Sequence, residues 1–172
     1  TQRVENPYLQ LSYAGRGYLY LVWTTGHLVL LRELGGVGLL MLAAIGVALS
    51  DALQFVMGKL IGKHIISPTI NPRKAWEGII GDLMGAGIAV ALFSFALPAQ
   101  FGVLEKVILA FLIGAAAAWG DLISSLAKRA AGAKDWGDII PGHGGLLDRA
   151  NSMVVAIPVV YYFAYLVLEV RK

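Results

Sequence analysis

The chain has 172 residues, 58% hydrophobic and 15% charged, with a mean hydropathy of +0.70, which is more apolar than soluble globular usage and makes lipid the solvent for most of it. Cysteine is absent, which excludes disulfide frameworks, thiolate metal sites and cysteine nucleophiles and leaves oxygen and histidine as the metal donors. The net charge of +3 is spread along the chain without a basic stripe, so a nucleic-acid partner is not expected.

In chain order, Thr1 to Arg16 is polar and mixed, unlike a cleavable signal peptide, and the start at Thr rather than Met leads to the expectation of an N-terminally incomplete chain. A membrane span needs about 20 mostly apolar residues, fewer when flanking side chains snorkel. Candidate spans are Gly17 to Leu31, ending at Arg32 and Glu33; Leu34 to Leu60, with Asp51 inside; Ile79 to Leu97, stopped by Pro98; Val107 to Leu126, carrying Asp121; and Met153 to Leu168, before Arg171 and Lys172. The expected fold is therefore all-α, a polytopic integral membrane protein of about five transmembrane helices, with two loops forming the site. Five spans place the loops Lys59 to Glu77 and Ala127 to Ser152 on one side. They hold eight of the fourteen Lys and Arg residues (Lys59, Lys63, Arg73, Lys74, Lys128, Arg129, Lys134 and Arg149), which marks that side as cytoplasmic. Arg171 and Lys172 depart from the same rule, and no internal repeat, heptad or low-complexity tract is present.

An aspartate within hydrocarbon costs at least a few kcal/mol, so Asp51, Asp121 and Asp82 each need a wet cavity, a ligand or a polar helix contact. For Asp82, near an interface, the plain contact is favoured. In the second loop, Gly142, Gly144 and Gly145 surround His143 just before Asp148 and Arg149. Glycines permit close backbone approach to an anion, and a helix starting near Leu146 would add its dipole. A simple turn would need the glycines for geometry alone, but would not explain His143, Asp148 and Arg149 behind them. Asp121 and Asp148 are hard oxygen donors suited to Mg²⁺ shared with substrate phosphates. Lys128, Arg129, Lys134 and Arg149 would contact phosphate oxygens, although basic loops are also common in membrane proteins. His143 is open as a base, a phosphate donor or a metal ligand, with phosphate contact favoured because an anionic nucleophile needs no base. His27 and His64 read as structural. In the first loop, Arg73 and Lys74 fit lipid head groups or a nucleotide equally, and Trp76 fits an interfacial anchor.

Ser125-Leu126-Ala127-Lys128-Arg129, Lys134-Asp135, Pro141-Gly142-His143-Gly144-Gly145 and Asp148-Arg149 together closely resemble the signature of the phosphatidate cytidylyltransferases, or CDP-diacylglycerol synthases. Asn71-Pro72-Arg73-Lys74-Ala75-Trp76-Glu77-Gly78 resembles that family's Ser-Pro-Lys-Lys-Thr-Trp-Glu-Gly segment, and the resemblance runs from about Asp51 to the C-terminus. It implies a catalytic membrane domain over 51–172, preceded by generic spans in 1–50. The implied reaction joins CTP to phosphatidic acid, giving CDP-diacylglycerol and pyrophosphate, with Mg²⁺ as cofactor, in phospholipid synthesis at a bacterial inner membrane.

The resemblance implies a catalytic set of Asp121, Lys128, Arg129, His143, Asp148 and Arg149. Substrate binding would fall to Ser125, Lys134, Asp135, Gly142, Gly144, Gly145, Arg73, Lys74 and Glu77. Asp121, Asp148 and Asn151 would hold the metal. Membrane lipids are the expected surroundings, and a homodimer is among the partners considered. Asn151 stands where the family has Asp, keeping an oxygen but removing a charge, and Asn71 and Ala75 replace hydroxyl residues. The rival readings are a CTP-dependent polyprenol or phytol kinase, against which the Trp76-Glu77-Gly78 context argues, and a non-catalytic scaffold of the same fold.

Overall fold

A computed structural model describes residues 7–137 and 145–170. Pro7 opens α1 (Pro7–Tyr18) at the first helical position, where a missing N–H costs nothing. The chain passes through a π-type turn, Leu19–Trp23, into α2 (Thr24–Ile61). Within α2, Gly36 takes φ 75° and ψ −178°, a conformation left to glycine, and breaks the helix. The contacts on either side show a reversal there. The Tyr20 hydroxyl lies beside Ser124 and Asp121, His27 meets Tyr162, Gly38 abuts Ala96, and Asp51 comes back to Ser152.

After α2 comes a small antiparallel hairpin, β1 (Ile65–Ser67) and β2 (Asn71–Ala75), pairing Ile65 with Ala75 and Ser67 with Asn71. Pro72 is accommodated because a two-stranded ribbon has an open edge. Three helices complete the chain: α3 (Trp76–Leu92), α4 (Val103–Ala130) and α5 (Leu146–Tyr165), the last ending in a π-type turn, Leu166–Val170.

Close helix approach explains the glycine content. A Cβ on Gly81 would stand 2.5 Å from the Leu53 carbonyl, and one on Gly85 2.4 Å from that of Leu49, so this Gly-x-x-x-Gly pair lets α3 lie directly on α2. Gly120 does the same for α4 against α5, where a Cβ would stand 2.8 Å from the Ser152 Cα. The shared core contains Leu39, Leu42 and Val47 of α2, Val90 of α3, Leu109 and Ile113 of α4, and Ile157 and Val160 of α5. Phe55, Phe111, Trp119 and Ile123 point outward, as a lipid-facing surface requires.

The all-α membrane architecture is as expected. Among the described residues, three stretches are long and apolar enough to cross a membrane: Leu19–Ile61, Val103–Ala130 and Ala150–Val170. The first covers the second expected span and all of the first except Gly17 and Tyr18, with the break at Gly36. Helix α3, at 17 residues, is shorter than the roughly 20 that a full span uses. One detail differs from the expectation: the segment Lys59 to Glu77 is a helix end, a hairpin and the first residues of α3 rather than a loop, because backbone pairing satisfies N–H and C=O groups that a loose loop would leave open.

Candidate active site

Helical spacing brings the acids together. Ala48, Asp51 and Gln54 share one face of α2, and Asp148 and Asn151 share one face of α5, each set stepping by three residues. With Asp121 of α4 they line a cavity of about 340 Å³ at one end of the helices. A second cavity, about 370 Å³, shares Gln54 and Asp121 and continues past Phe55, Lys59, Ile65 and Pro72 beside the hairpin.

Asp121 is held from three sides. Asn151 Nδ2 donates to its Oδ1 at 3.0 Å, Asn71 Nδ2 donates to Oδ2 at 3.0 Å, and Lys74 Nζ approaches Oδ2 at 3.3 Å. Asn71 also reaches Ser125 Oγ at 3.4 Å. The Asn151 amide oxygen accepts the Ser152 backbone N–H at 2.8 Å, so this expected oxygen ligand presents its nitrogen to Asp121. Ser152 Oγ in turn donates to Asp51 Oδ1 at 2.9 Å.

Asp148 organises the loop between α4 and α5. Its Oδ1 accepts from Lys128 Nζ at 2.7 Å, and its Oδ2 accepts the backbone N–H of Trp136 at 2.7 Å and of Gly145 at 2.9 Å. Burial raises the carboxyl, but the Lys128 ammonium and these backbone donors outweigh it and hold Asp148 below the usual carboxylate range. The Trp136 indole N–H donates to buried Ser124 at 3.0 Å, pinning the loop to α4.

The remaining expected residues are placed unevenly. Arg129 is exposed and caps the Ala133 carbonyl at 3.3 Å, while Lys134 and Asp135 are exposed on the loop. Gly145 sits against Trp136 and Gly137, with its N–H committed to Asp148. Lys74 is buried at 1% exposure. Glu77 lies at the start of α3 and bonds His64 Nδ1 at 2.6 Å; the His64 ring, followed by nearby backbone N–H groups, holds its carboxyl down to about 2. Gly142, His143 and Gly144 lie outside the described residues, as do the side chains of Arg73 and Arg149. Asp51, Gln54 and Asn71 were not assigned to the site from sequence, although the three-residue spacing of Ala48, Asp51 and Gln54 was a readable signal.

Among the described residues no three His, Asp or Glu side chains converge into a metal cage. The oxygen donors of Asp51, Asp121 and Asp148 around one cavity nevertheless fit Mg²⁺, which typically binds through one or two carboxylates plus waters and substrate phosphates.

Fold and cavity together define an integral membrane protein of packed helices with an acid-lined, lysine-flanked pocket at one end. Residues 1–167 match the model of the cytidylyltransferase family, and the chain belongs to that family. It is 34% identical to the phosphatidate cytidylyltransferase of Haemophilus influenzae over 95% of this chain and 60% of the relative. It is 40% identical to that of Synechocystis over 70% of this chain and 41% of the relative. It is 37% identical to the uncharacterized Escherichia coli protein YnbB over 66% of this chain and 38% of that one. The chain therefore spans about three fifths or less of these curated relatives.

Proposed function

We propose that this chain carries the catalytic part of a phosphatidate cytidylyltransferase, which joins CTP to phosphatidic acid at the cytoplasmic face of a bacterial inner membrane. The observation that carries the reading is the convergence of Asp51, Asp121, Asp148 and Asn151 on one cavity that adjoins a less polar one at Gln54 and Asp121, in a chain of this family. One cavity suits a cation-bound triphosphate, and its neighbour suits a lipid phosphate arriving from the bilayer.

In this reading a phosphatidate oxygen attacks the α-phosphorus of CTP, the α–β phosphoanhydride bond breaks, and pyrophosphate leaves. The nucleophile is already anionic, so no side chain need remove a proton. Asp51, Asp121 and Asp148 would hold Mg²⁺, which when bound neutralises triphosphate charge and polarises the phosphorus. Lys128, 2.7 Å from Asp148 of the pocket wall, would place positive charge behind that carboxylate, close to where charge develops on the leaving group. The apolar helix walls would keep water from competing with the lipid nucleophile.

The test is a detergent assay of the purified chain with phosphatidic acid, Mg²⁺ and CTP labelled at the α or the γ position. Label from the α position should enter lipid, with pyrophosphate released and no product in EDTA. Label from the γ position in lipid would indicate a kinase, and no labelled lipid from either would sink the activity for this chain.

A further inference from the structure

Lys74 belongs to the basic hairpin segment that reads as a substrate-binding stretch, yet the fold spends its charge internally. Strand β2 carries it inward to 1% exposure. Its Nζ lies 2.8 Å from the Ala118 carbonyl oxygen, 3.3 Å from Asp121 Oδ2 and 3.9 Å from Asp82 Oδ2. An ammonium has three N–H donors, and three oxygens from α3 and α4 surround it.

Asp82 is the complementary observation. It is fully buried, and neither carboxyl oxygen accepts a hydrogen bond among the described residues. Its backbone carbonyl accepts Ser50 Oγ at 2.8 Å, which fixes this turn of α3 against α2. A buried carboxylate without donors is costly unless a cation lies close, and Lys74 is the cation that does.

We propose that Lys74 is a positioning residue. It is a tethered internal counter-ion that balances Asp82 and fixes the Asp121 carboxylate at the cavity floor, rather than a ligand of the incoming anion. To reach a substrate phosphate its ammonium would have to abandon two carboxylates and a carbonyl. The hairpin thereby becomes part of the site: Lys74 and Asn71 both bear on Asp121 Oδ2, so the seating of β2 sets where that oxygen points.

This inference rests on the proposed function only for its turnover readout. The test compares wild type, Lys74→Met, Asp82→Asn and the double variant, each as the full chain in detergent. Lys74→Met strands Asp82 and should lower the thermal midpoint by about 10 °C, and adding Asp82→Asn should restore at least half of that loss. In the restored double variant kcat should fall about tenfold or more, with KM for CTP within about twofold of wild type, because Asp121 has lost its support while the nucleotide has lost no contact. Mn²⁺ followed by electron paramagnetic resonance should bind the double variant several-fold more tightly, since no ammonium then competes for Asp121.

An unchanged midpoint in Lys74→Met, or a double variant no more stable than Lys74→Met, overturns the pairing with Asp82. A kcat that returns to wild type, or Mn²⁺ affinity that does not move, overturns the role at Asp121. Because Lys74 borders the cavity beside the hairpin, a roughly tenfold rise in KM for CTP or for phosphatidic acid at normal stability makes it a substrate ligand and overturns the proposal. If wild type makes no CDP-lipid the proposed function fails, while the midpoints and the Mn²⁺ titration still decide this one.

Discussion

Replacing Asp148 by Asn tests whether one carboxylate holds the loop between α4 and α5. Asp148 and Lys128 are 8% and 14% exposed, so their 2.7 Å pair is largely removed from water. The same carboxylate also accepts the backbone N–H groups of Trp136 and Gly145. Removing one partner of a buried pair costs about 3–5 kcal/mol, and the retained amide oxygen, still able to accept one N–H, places Asp148→Asn near the lower figure. At 2–4 °C per kcal/mol for a chain of this size, the midpoint should fall by about 6–12 °C at pH 7.

The pH dependence has a defined sign. The folded carboxyl sits below its ordinary value, so its contribution is fully present above about pH 3.9 and is lost as pH falls through the depressed native value. Circular-dichroism melts of both proteins in one detergent should show a gap that is constant above about pH 5 and narrows on acidification. A midpoint within about 2 °C of wild type at pH 7, or a gap that widens as pH falls, would refute the reasoning.

Gly36→Ala should lower the midpoint by several degrees, since nothing crowds the position and the cost is that of a non-glycine residue at φ 75° and ψ −178°, about 1–3 kcal/mol. Gly26→Ala, equally uncrowded but inside a helix, should leave the midpoint unchanged or raise it. Gly85→Leu should prevent α3 from seating on α2, seen as loss of the monodisperse peak in size-exclusion chromatography, because even a Cβ there would meet the Leu49 carbonyl at 2.4 Å. Asn151→Asp replaces an amide donor 3.0 Å from Asp121 Oδ1 with a second carboxylate, so its midpoint should drop in EDTA and recover with millimolar Mg²⁺ more than wild type does. Equal Mg²⁺ responses in the two proteins would count against a cation at Asp121.

Much of the helical architecture was legible because lipid imposes a simple rule, long apolar runs, and the acids within those runs identified themselves by their cost. Asp51 and Asp121 stood out for that reason, Asp148 by its place behind the glycines of the second loop, and all three line one cavity. The turn at Gly36 was partly visible, as charges at Arg32 and Glu33 interrupt the hydrophobicity there. The hairpin was not visible, because β1 has only three residues and β2 contains Pro72, which weakens any strand pattern. The direction of Lys74 was also hidden, since sequence supplies a cation in a polar segment but not the side of the ribbon from which it projects.

Asn71 and Asn151 show most clearly what three dimensions add. Separately, each is a departure from the family pattern that weakens an expected contact, one by losing a hydroxyl and the other by losing a charge. In the fold they meet, with one amide on each oxygen of Asp121. A carboxylate flanked by two neutral donors and one ammonium is held in one orientation, with no carboxylate at position 151 competing for the same cation. The two changes are therefore better treated as a pair acting on Asp121 than as independent losses. Restoring Asp at 151 alone would set a new negative charge against a carboxylate that Asn71 and Lys74 already hold in place.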